Sequence, residues 1–524
     1  MLAVLLSLFL SLSQAAPAPL SNDEKSLLLL NRLSYGPRPE EITRLSKQGS
    51  AGLKKWIEEQ LHPENIDDRS LESKLARLPI AGLDTLQLLA QYQDLNKFIE
   101  RDMGVDKKSL SEDEQKELRK KYEDHLVARI LDEMQSQRLI RAVESRRQLE
   151  EVLFDFWWNH FNVDWSKGPV RWMAPSYEKE AIRKHIFGSF QDLLRATAHH
   201  PAMLVYLDNH VSRVSPPAKN GKKPNGGLNE NYARELMELH TLGVDGGYTQ
   251  KDVTELARIL TGWSVESANE DPAFVFKEKN HDKESKEFLH RSFPAGHGLD
   301  EGEEALQMLA ANPATARFIS LKLARYFISD SPPPALVTRM QNMFLNSHGD
   351  LMAVYRTLFN SPEFWSRANY MAKVKRPLQF AASSIRALGG ELDLKTPLPK
   401  FLEDLGEDLY RCGPPTGYAD DANTWVNPGA LVSRLEFGLK LSASRMDGVF
   451  VTLPQGVKAT ENLPLLVQEI SRKIMGHVLS KSSEDVIVQE LSDESRTFAD
   501  GELRPISLAK ATALILGSPE FQKR

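Results

Sequence analysis

The segment from position 229 to 243 carries the densest set of chemically active side chains, in the order Asn-Glu-Asn-Tyr-Ala-Arg-Glu-Leu-Met-Glu-Leu-His-Thr-Leu-Gly. With 3.6 residues per turn, a helix here has one polar side, formed by Asn231, Arg234, Glu235 and Glu238. One explanation of these polar residues is purely structural: Arg234 and Glu238, four residues apart, can form an ion pair on the helix surface. If the side is instead buried, the pKa values of Glu235 and Glu238 shift, and the two become candidates for acid–base catalysis or metal ligation.

Three other places along the chain could converge on this helix. They are Asn159 with His160, His200 followed by Asp208 and Asn209, and His281 with Asp282. Imidazole, carboxylate and amide groups together suit either zinc or a harder divalent cation. We therefore predict a central polar pocket. Its candidate ligand-binding residues are Asn159, Asp208, Asn209, Asn231 and Arg234, and its candidate metal ligands are His160, His200, His281 and Asp282.

A structural role is the alternative at each of these places. A single histidine is more often a hydrogen-bonded structural residue than a ligand. Asp208 with Asn209 can simply end a helix, and His281 with Asp282 can form a turn. The sequence therefore does not identify a cofactor, and a divalent metal ion is the one candidate it offers.

Familiar catalytic signatures are absent from the sequence. It contains neither His-Glu-x-x-His nor Gly-x-Ser-x-Gly, and it has no Walker phosphate loop. Cys412 is the only cysteine, which excludes a disulfide within the chain and a zinc cluster of thiolates. The net charge of -6 over 524 residues gives no basic excess, so we expect no nucleic-acid partner.

The N-terminal segment is typical of an export signal. An apolar run from Leu2 to Leu10 is followed by small and polar residues ending in Ala15 and Ala16. The run is shorter than the roughly 20 residues that span a membrane. We predict that residues 1–15 are a cleaved signal peptide and that the mature protein is secreted or periplasmic, with no transmembrane segment. Because ATP and NAD(P)H are scarce there, export favours ligand binding or hydrolysis.

Helical spacing of apolar residues dominates the chain and predicts a mainly α fold, a large multi-helix assembly with one small β-hairpin. The hairpin is expected to pair the apolar segments 274–276 and 288–289. Thr249 with Asp252 forms a capping box that predicts a helix start, and Gly262 ends that helix.

The predicted organisation has three helical regions after the signal peptide. They are an N-terminal region at 16–145, a central core at 146–375 that contains the polar pocket, and a C-terminal region at 376–524. A loop at 211–227, rich in Pro, Gly and Lys, interrupts the central core.

Several phrases occur in order along the chain: Asn31-Arg-Leu-Ser-Tyr-Gly36, Phe156-Trp-Trp-Asn-His-Phe161, His200-Pro-Ala-Met203, the segment 229–243, Leu260-Thr-Gly-Trp263 and two copies of Ser-Pro-Glu-Phe. Together they resemble the family catalogued as domain of unknown function 1800, over nearly the whole mature chain. The family usually has Phe where His240 stands. The resemblance implies a large, mostly exported, helical bacterial protein. Such proteins are often encoded beside a second exported family that looks like alkaline phosphatases or sulfatases, which makes a protein of that kind a candidate partner; the resemblance implies no established activity.

Three functions stay open from the sequence. The first is an exported protein that binds a polar ligand or a metal in an Asn/His/Glu-lined pocket. The second is a metal-dependent or acid–base hydrolase of an envelope or extracellular polymer, with Glu235 or Glu238 as base and His160 or His200 as a ligand. The third is a scaffold for another exported protein, such as the phosphatase- or sulfatase-like one, with the loop at 211–227 as the contact.

Overall fold

The computed structural model of the protein describes residues 18–92, 104, 110–122, 127–214, 227–268, 270–457, 462–495 and 508–524. The predicted signal peptide at 1–15 and all but the ends of the predicted loop at 211–227 lie outside these residues. Within them the chain forms 22 α-helices and six short strands, which confirms the predicted mainly α fold.

The helices are numbered here in chain order. The first ten are α1 Asn22–Leu33, α2 Glu41–Gln60, α3 Arg69–Leu75, α4 Thr85–Tyr92, α5 Glu112–Tyr122, α6 Ala128–Glu144, α7 Gln148–His160, α8 Val170–Ser176, α9 Phe190–His199 and α10 Pro201–Tyr206. The remaining twelve are α11 Glu230–Glu238, α12 Gln250–Ile259, α13 Leu299–Ala311, α14 Pro313–Phe327, α15 Pro334–Asn346, α16 Leu351–Phe359, α17 Pro377–Ala387, α18 Leu398–Asp404, α19 Pro428–Ser442, α20 Leu463–Met475, α21 Lys481–Ser495 and α22 Leu508–Leu516. In the part of the chain that the structure describes, none of them combines the length and apolar character that a membrane span requires.

Local capping chemistry sets where α12 begins, as predicted. The Thr249 side chain accepts a hydrogen bond from the Asp252 N–H, and the Asp252 carboxylate accepts one from the Thr249 N–H. The helix ends at Ile259, and the chain then turns through Gly262, whose φ of +84° is the left-handed conformation that glycine tolerates. This turn leads directly into the first strand.

Six strands form three two-stranded antiparallel sheets: β1 Trp263–Ser267 with β2 Asp271–Phe276, β3 Lys286–Phe288 with β4 Arg291–Phe293, and β5 Glu391–Leu392 with β6 Val449–Phe450. The predicted hairpin is therefore wrong in its pairing. Segment 274–276 pairs with 263–265, and segment 286–288 pairs with 291–293. Each segment has a partner closer in sequence, so closing the intervening turn costs less chain entropy.

One hydrophobic cluster contains residues from all three predicted regions, such as Leu27, Trp157 and Phe437. Trp157 of α7 is fully buried, and its Nε1 donates to the Tyr355 hydroxyl at 2.7 Å. This cluster is continuous across the boundaries proposed at 145/146 and 375/376. The division into three regions stays a prediction.

Candidate functional site

Helix α11 positions the candidate carboxylates, and its N-terminus and one side are fixed. The Asn229 side chain caps it by accepting from the Asn231 N–H at 2.8 Å. Tyr232 is fully buried, and its hydroxyl donates to Ala198 O at 2.9 Å. Because the apolar side of the helix is anchored in this way, the polar side faces outward with Asn231 exposed and with three half-buried residues, Arg234, Glu235 and Glu238.

Glu235 and Glu238 lie one helical turn apart. Burial and the charge of Glu238 raise the pKa of Glu235, against the opposing charge of Arg234. Among the described residues, no side chain forms a hydrogen bond or ion pair with the Glu235 carboxyl. A raised pKa in one of two neighbouring carboxyls is typical of groups that take part in acid–base chemistry.

Two tyrosines outside the predicted site residues flank these carboxyls. The Tyr248 hydroxyl donates to Glu238 Oε2 at 3.3 Å, and the Tyr206 hydroxyl donates to a carbonyl of the 412–418 loop at 2.7 Å. Burial raises the pKa of both hydroxyls, and the charge of Glu235 adds to the rise. The position of Tyr248 could have been predicted from the sequence, because it directly precedes Thr249, the capping residue of α12. We call Tyr206, Glu235, Glu238 and Tyr248 the Glu235 face.

Arg234 pairs with a different residue from the one its spacing indicated. The expected ion pair with Glu238 is wrong, because the Arg234 Nη2 donates to Gln250 Oε1 at 2.9 Å and lies 3.9 Å from Glu230 Oε2. Gln250 Nε2 in turn donates to Glu230 at 2.9 Å. This network ties α11 to α12 and leaves Glu235 and Glu238 without a direct ion pair to Arg234.

Asn159 binds the backbone of a neighbouring loop. Its Nδ2 donates to Tyr418 O at 2.8 Å and its Oδ1 accepts from the Tyr418 N–H at 2.7 Å, so both halves of the amide are used. Gly417 permits this approach, since a Cβ there would lie 2.3 Å from Asn159 O. Asn162 donates to two further carbonyls of the same loop. The loop at 412–418 is therefore held beside Tyr206.

Asn209 and Asp208 have separate environments. Asn209 is fully buried, and its Nδ2 donates to the carbonyls of Leu260 and Trp263 at 3.2 and 3.1 Å. Asp208 is exposed and pairs with Lys167 at 2.8 Å. The bonds of Asn209 connect the end of α12 to the chain after α10, which is a structural role.

His160 lies in the aromatic core with His240. Its Nε2 donates to His240 O at 3.1 Å, and the two rings are 6.2 Å apart. Burial and the charge of Lys322 lower the pKa of both histidines, that of His240 to about 3. Both rings are therefore neutral near pH 7 and pack against aromatic side chains, including Phe161.

Lowered histidine pKa values predict a loss of stability in mild acid. The unfolded chain binds a proton at His240 below about pH 6.5, whereas the folded chain does so only near pH 3. The contribution of neutral His240 to the free energy of unfolding is thus complete above pH 6.5 and is lost as the pH falls toward 3. We expect His240 to lower the free energy of unfolding by about 2 kcal/mol between pH 7 and pH 5.

Urea unfolding of the His240→Phe variant at pH 7 and pH 5 checks this expectation. The variant should lose about 2 kcal/mol less than the wild type over that interval. Substituting the exposed His297 by Phe provides the matched control and should leave the pH dependence unchanged. Equal losses in the wild type and in the His240→Phe variant would contradict the prediction.

His200 caps a helix. Its Nδ1 accepts a hydrogen bond from the Ala202 N–H at 3.2 Å at the start of α10. Its Nε2 lies 3.4 Å from Ser176 Oγ, and burial lowers its pKa to about 3. Both ring nitrogens are thus in use within the protein.

His281 and Asp282 belong to an ion network between α12, β3 and α13. Asp282 accepts from Arg258 Nε at 2.8 Å and from Arg258 Nη2 at 3.2 Å. His281 Nε2 lies 3.5 Å from Glu301 Oε2, and Lys286 Nζ lies 2.7 Å from the same oxygen. The side chains of Glu301 and Lys286 have no exposed surface. His281 and Asp282, the two candidate metal ligands, are therefore part of a network that joins α12, β3 and α13.

The candidate metal ligands are distributed over an aromatic core, a helix cap and an ion network. Within the ranges that the structure describes, no three His, Cys, Asp or Glu side chains are grouped so as to hold a metal ion. What the fold does bring together is the Glu235 face, with two carboxyls and two phenol groups.

The fold is that of a large α-helical protein, and the Glu235 face is its candidate site. The family described as "Protein of unknown function (DUF1800)" matches residues 28–523, and the chain belongs to that family. The family resemblance of the sequence motifs is thereby confirmed. The comparisons with curated proteins and with solved structures give no match.

Proposed function

We propose that the protein is exported and binds a polar ligand at the Glu235 face. One observation carries the proposal: Glu235 is half-buried, has a raised pKa, and has no side-chain partner among the described residues. Burying a carboxyl without a partner costs free energy. Perturbed and unpaired carboxyls of this kind concentrate at functional sites.

The chemistry of the face favours a ligand with several hydroxyl or amine groups. The carboxyl oxygens of Glu235 and Glu238 accept hydrogen bonds from hydroxyl or ammonium groups of the ligand. The half-buried ring of Tyr248 provides apolar surface next to these polar atoms. Fragments of an envelope or extracellular glycan combine these features.

Affinity-selection mass spectrometry with a library of envelope glycan fragments tests the proposal. We expect fragments that the wild-type protein retains to bind at least about tenfold more weakly to Glu235→Gln, which corresponds to losing one charge-assisted hydrogen bond. Glu391→Gln changes an exposed carboxyl on β5 and serves as the control. If both variants retain the same fragments as the wild type, the Glu235 face is not the binding site.

An acid–base hydrolase is the second candidate, favoured by the raised pKa of one of two adjacent carboxyls. Glu235 then acts as the general acid and Glu238 as the base that activates water. Release of reducing ends from the retained fragments by the wild type, but not by Glu238→Gln, would support this activity. Binding without any release would leave the protein as a binding protein.

A metal-dependent version of either function places a divalent ion on Glu235 and Glu238. Elemental analysis of the purified protein and of Glu235→Ala addresses it directly. Metal bound in the wild type and lost in the variant supports this version, whereas near-zero metal in both eliminates it. Export and a role as scaffold for a phosphatase- or sulfatase-like partner are further proposals, supported by the leader-like N-terminus and by the family resemblance.

A further inference from the structure

A groove of about 770 Å³ lies between α19, α21 and α22 in the C-terminal part of the chain. Its walls are aliphatic, and they include Val426, Leu431, Val432, Val486 and Leu514. The volume is within the range of sites that bind small molecules. The groove shares no residue with the Glu235 face.

The apolar side chains of this groove are unusually open to water. Val432 is 68% exposed and Val486 is 67% exposed, while Leu431 is 46% exposed. On the opposite side of α19, Phe437 and Leu441 are buried in the core. A helix with a second, exposed apolar side indicates that this side is covered by something else.

The charges of the groove have a single sign. Its only charged lining residues are Arg434 and Lys523, and no carboxylate lines it among the described residues, although the chain has a net charge of -6. Lys523 is exposed and forms no ion pair within the described part of the chain. Arg434 is only 1% exposed, and its Nη1 and Nη2 already donate to Gln522 Oε1 and Lys375 O. The exposed ammonium of Lys523 therefore provides the cation that complements an anionic group.

We propose that the groove binds a long-chain fatty acid. The aliphatic walls cover the hydrocarbon chain, and the carboxylate lies next to the exposed ammonium of Lys523. An aliphatic chain fits better than an aromatic ligand, because the apolar wall residues are Val, Leu, Ile and Pro without an aromatic ring. The proposal is independent of the function proposed for the Glu235 face.

Isothermal titration of the delipidated full-length protein with palmitate tests the proposal. We expect saturable binding of one palmitate per chain, and roughly fourfold weaker binding for each methylene removed in shorter acids. Val432→Asp and Val486→Asp place a charge on opposite walls and should each weaken binding at least about tenfold. Both positions are already two-thirds exposed, so the fold should tolerate the changes, and circular dichroism verifies this.

Two further comparisons make the result specific. Val244→Asp alters an equally exposed valine, 70% open to water, outside the groove, and should bind palmitate like the wild type. Lys523→Glu should weaken palmitate binding while leaving hexadecanol binding unchanged, because only the acid presents a carboxylate. Absence of palmitate binding overturns the proposal. A dimer that Val432→Asp converts to a monomer, without palmitate binding, would overturn it in favour of a second copy of the chain.

Discussion

Replacing Asp155 with alanine is expected to lower the free energy of unfolding by about 3–5 kcal/mol, the cost of leaving buried cations without their partner. The Asp155 side chain is fully buried on α7 and contacts Arg138, Arg376 and the Tyr326 hydroxyl, the last at 3.0 Å. Burial alone would raise its pKa, but the charges of Arg376 and Arg138 outweigh burial and lower it. Removing this carboxylate leaves two guanidinium groups competing for the remaining acceptors.

Equilibrium unfolding in urea, followed by circular dichroism, measures the effect. Glu59→Ala is the matched control, because the 3.6 Å ion pair of Glu59 with Lys55 is exposed and should contribute at most about 1 kcal/mol. Comparable small losses in both variants would show that the buried cluster contributes little. A large loss confined to Asp155→Ala supports its role in joining α6, α7, α14 and the start of α17.

Local signals in the sequence were sufficient for much of the helical framework. The Thr249 capping box sets the start of α12 through bonds within four residues, so no distant partner is needed. The polar side of α11 also follows from spacing alone, because helical periodicity puts Glu235 and Glu238 on one side. Such features depend on neighbours along the chain, and neighbours are visible in a sequence.

The roles of the histidines depend on contacts that spacing does not reveal. His160 is buried beside a backbone carbonyl 80 positions later, and His281 lies near Glu301 in the ion network. In the sequence each resembles a candidate ligand, since imidazole serves as ligand, cap and core residue alike. Only the fold distinguishes these roles, because burial and the partner atoms decide them. The same reason explains the incorrect partner assigned to Arg234, for which Glu230 and Glu238 are equally spaced.

Replacing Lys286 with methionine is expected to have the second large effect on stability. Lys286 and Glu301 have no exposed side-chain surface and lie 2.7 Å apart between β3 and α13. The variant keeps an apolar stem of similar length, but it leaves the Glu301 carboxylate buried without its ion-pair partner and removes the Nζ donor of Asp282 O and Glu284 O. We expect a loss of about 3–5 kcal/mol in the free energy of unfolding at pH 7.

The double variant Lys286→Met/Glu301→Leu separates the cost of an orphaned charge from the cost of lost packing. Because both charges are removed together, it should recover the part of the loss that comes from the orphaned charge, but not the part from the two hydrogen bonds of Lys286. If the double variant is as unstable as Lys286→Met, the loss comes from packing and from lost hydrogen bonds rather than from the orphaned charge.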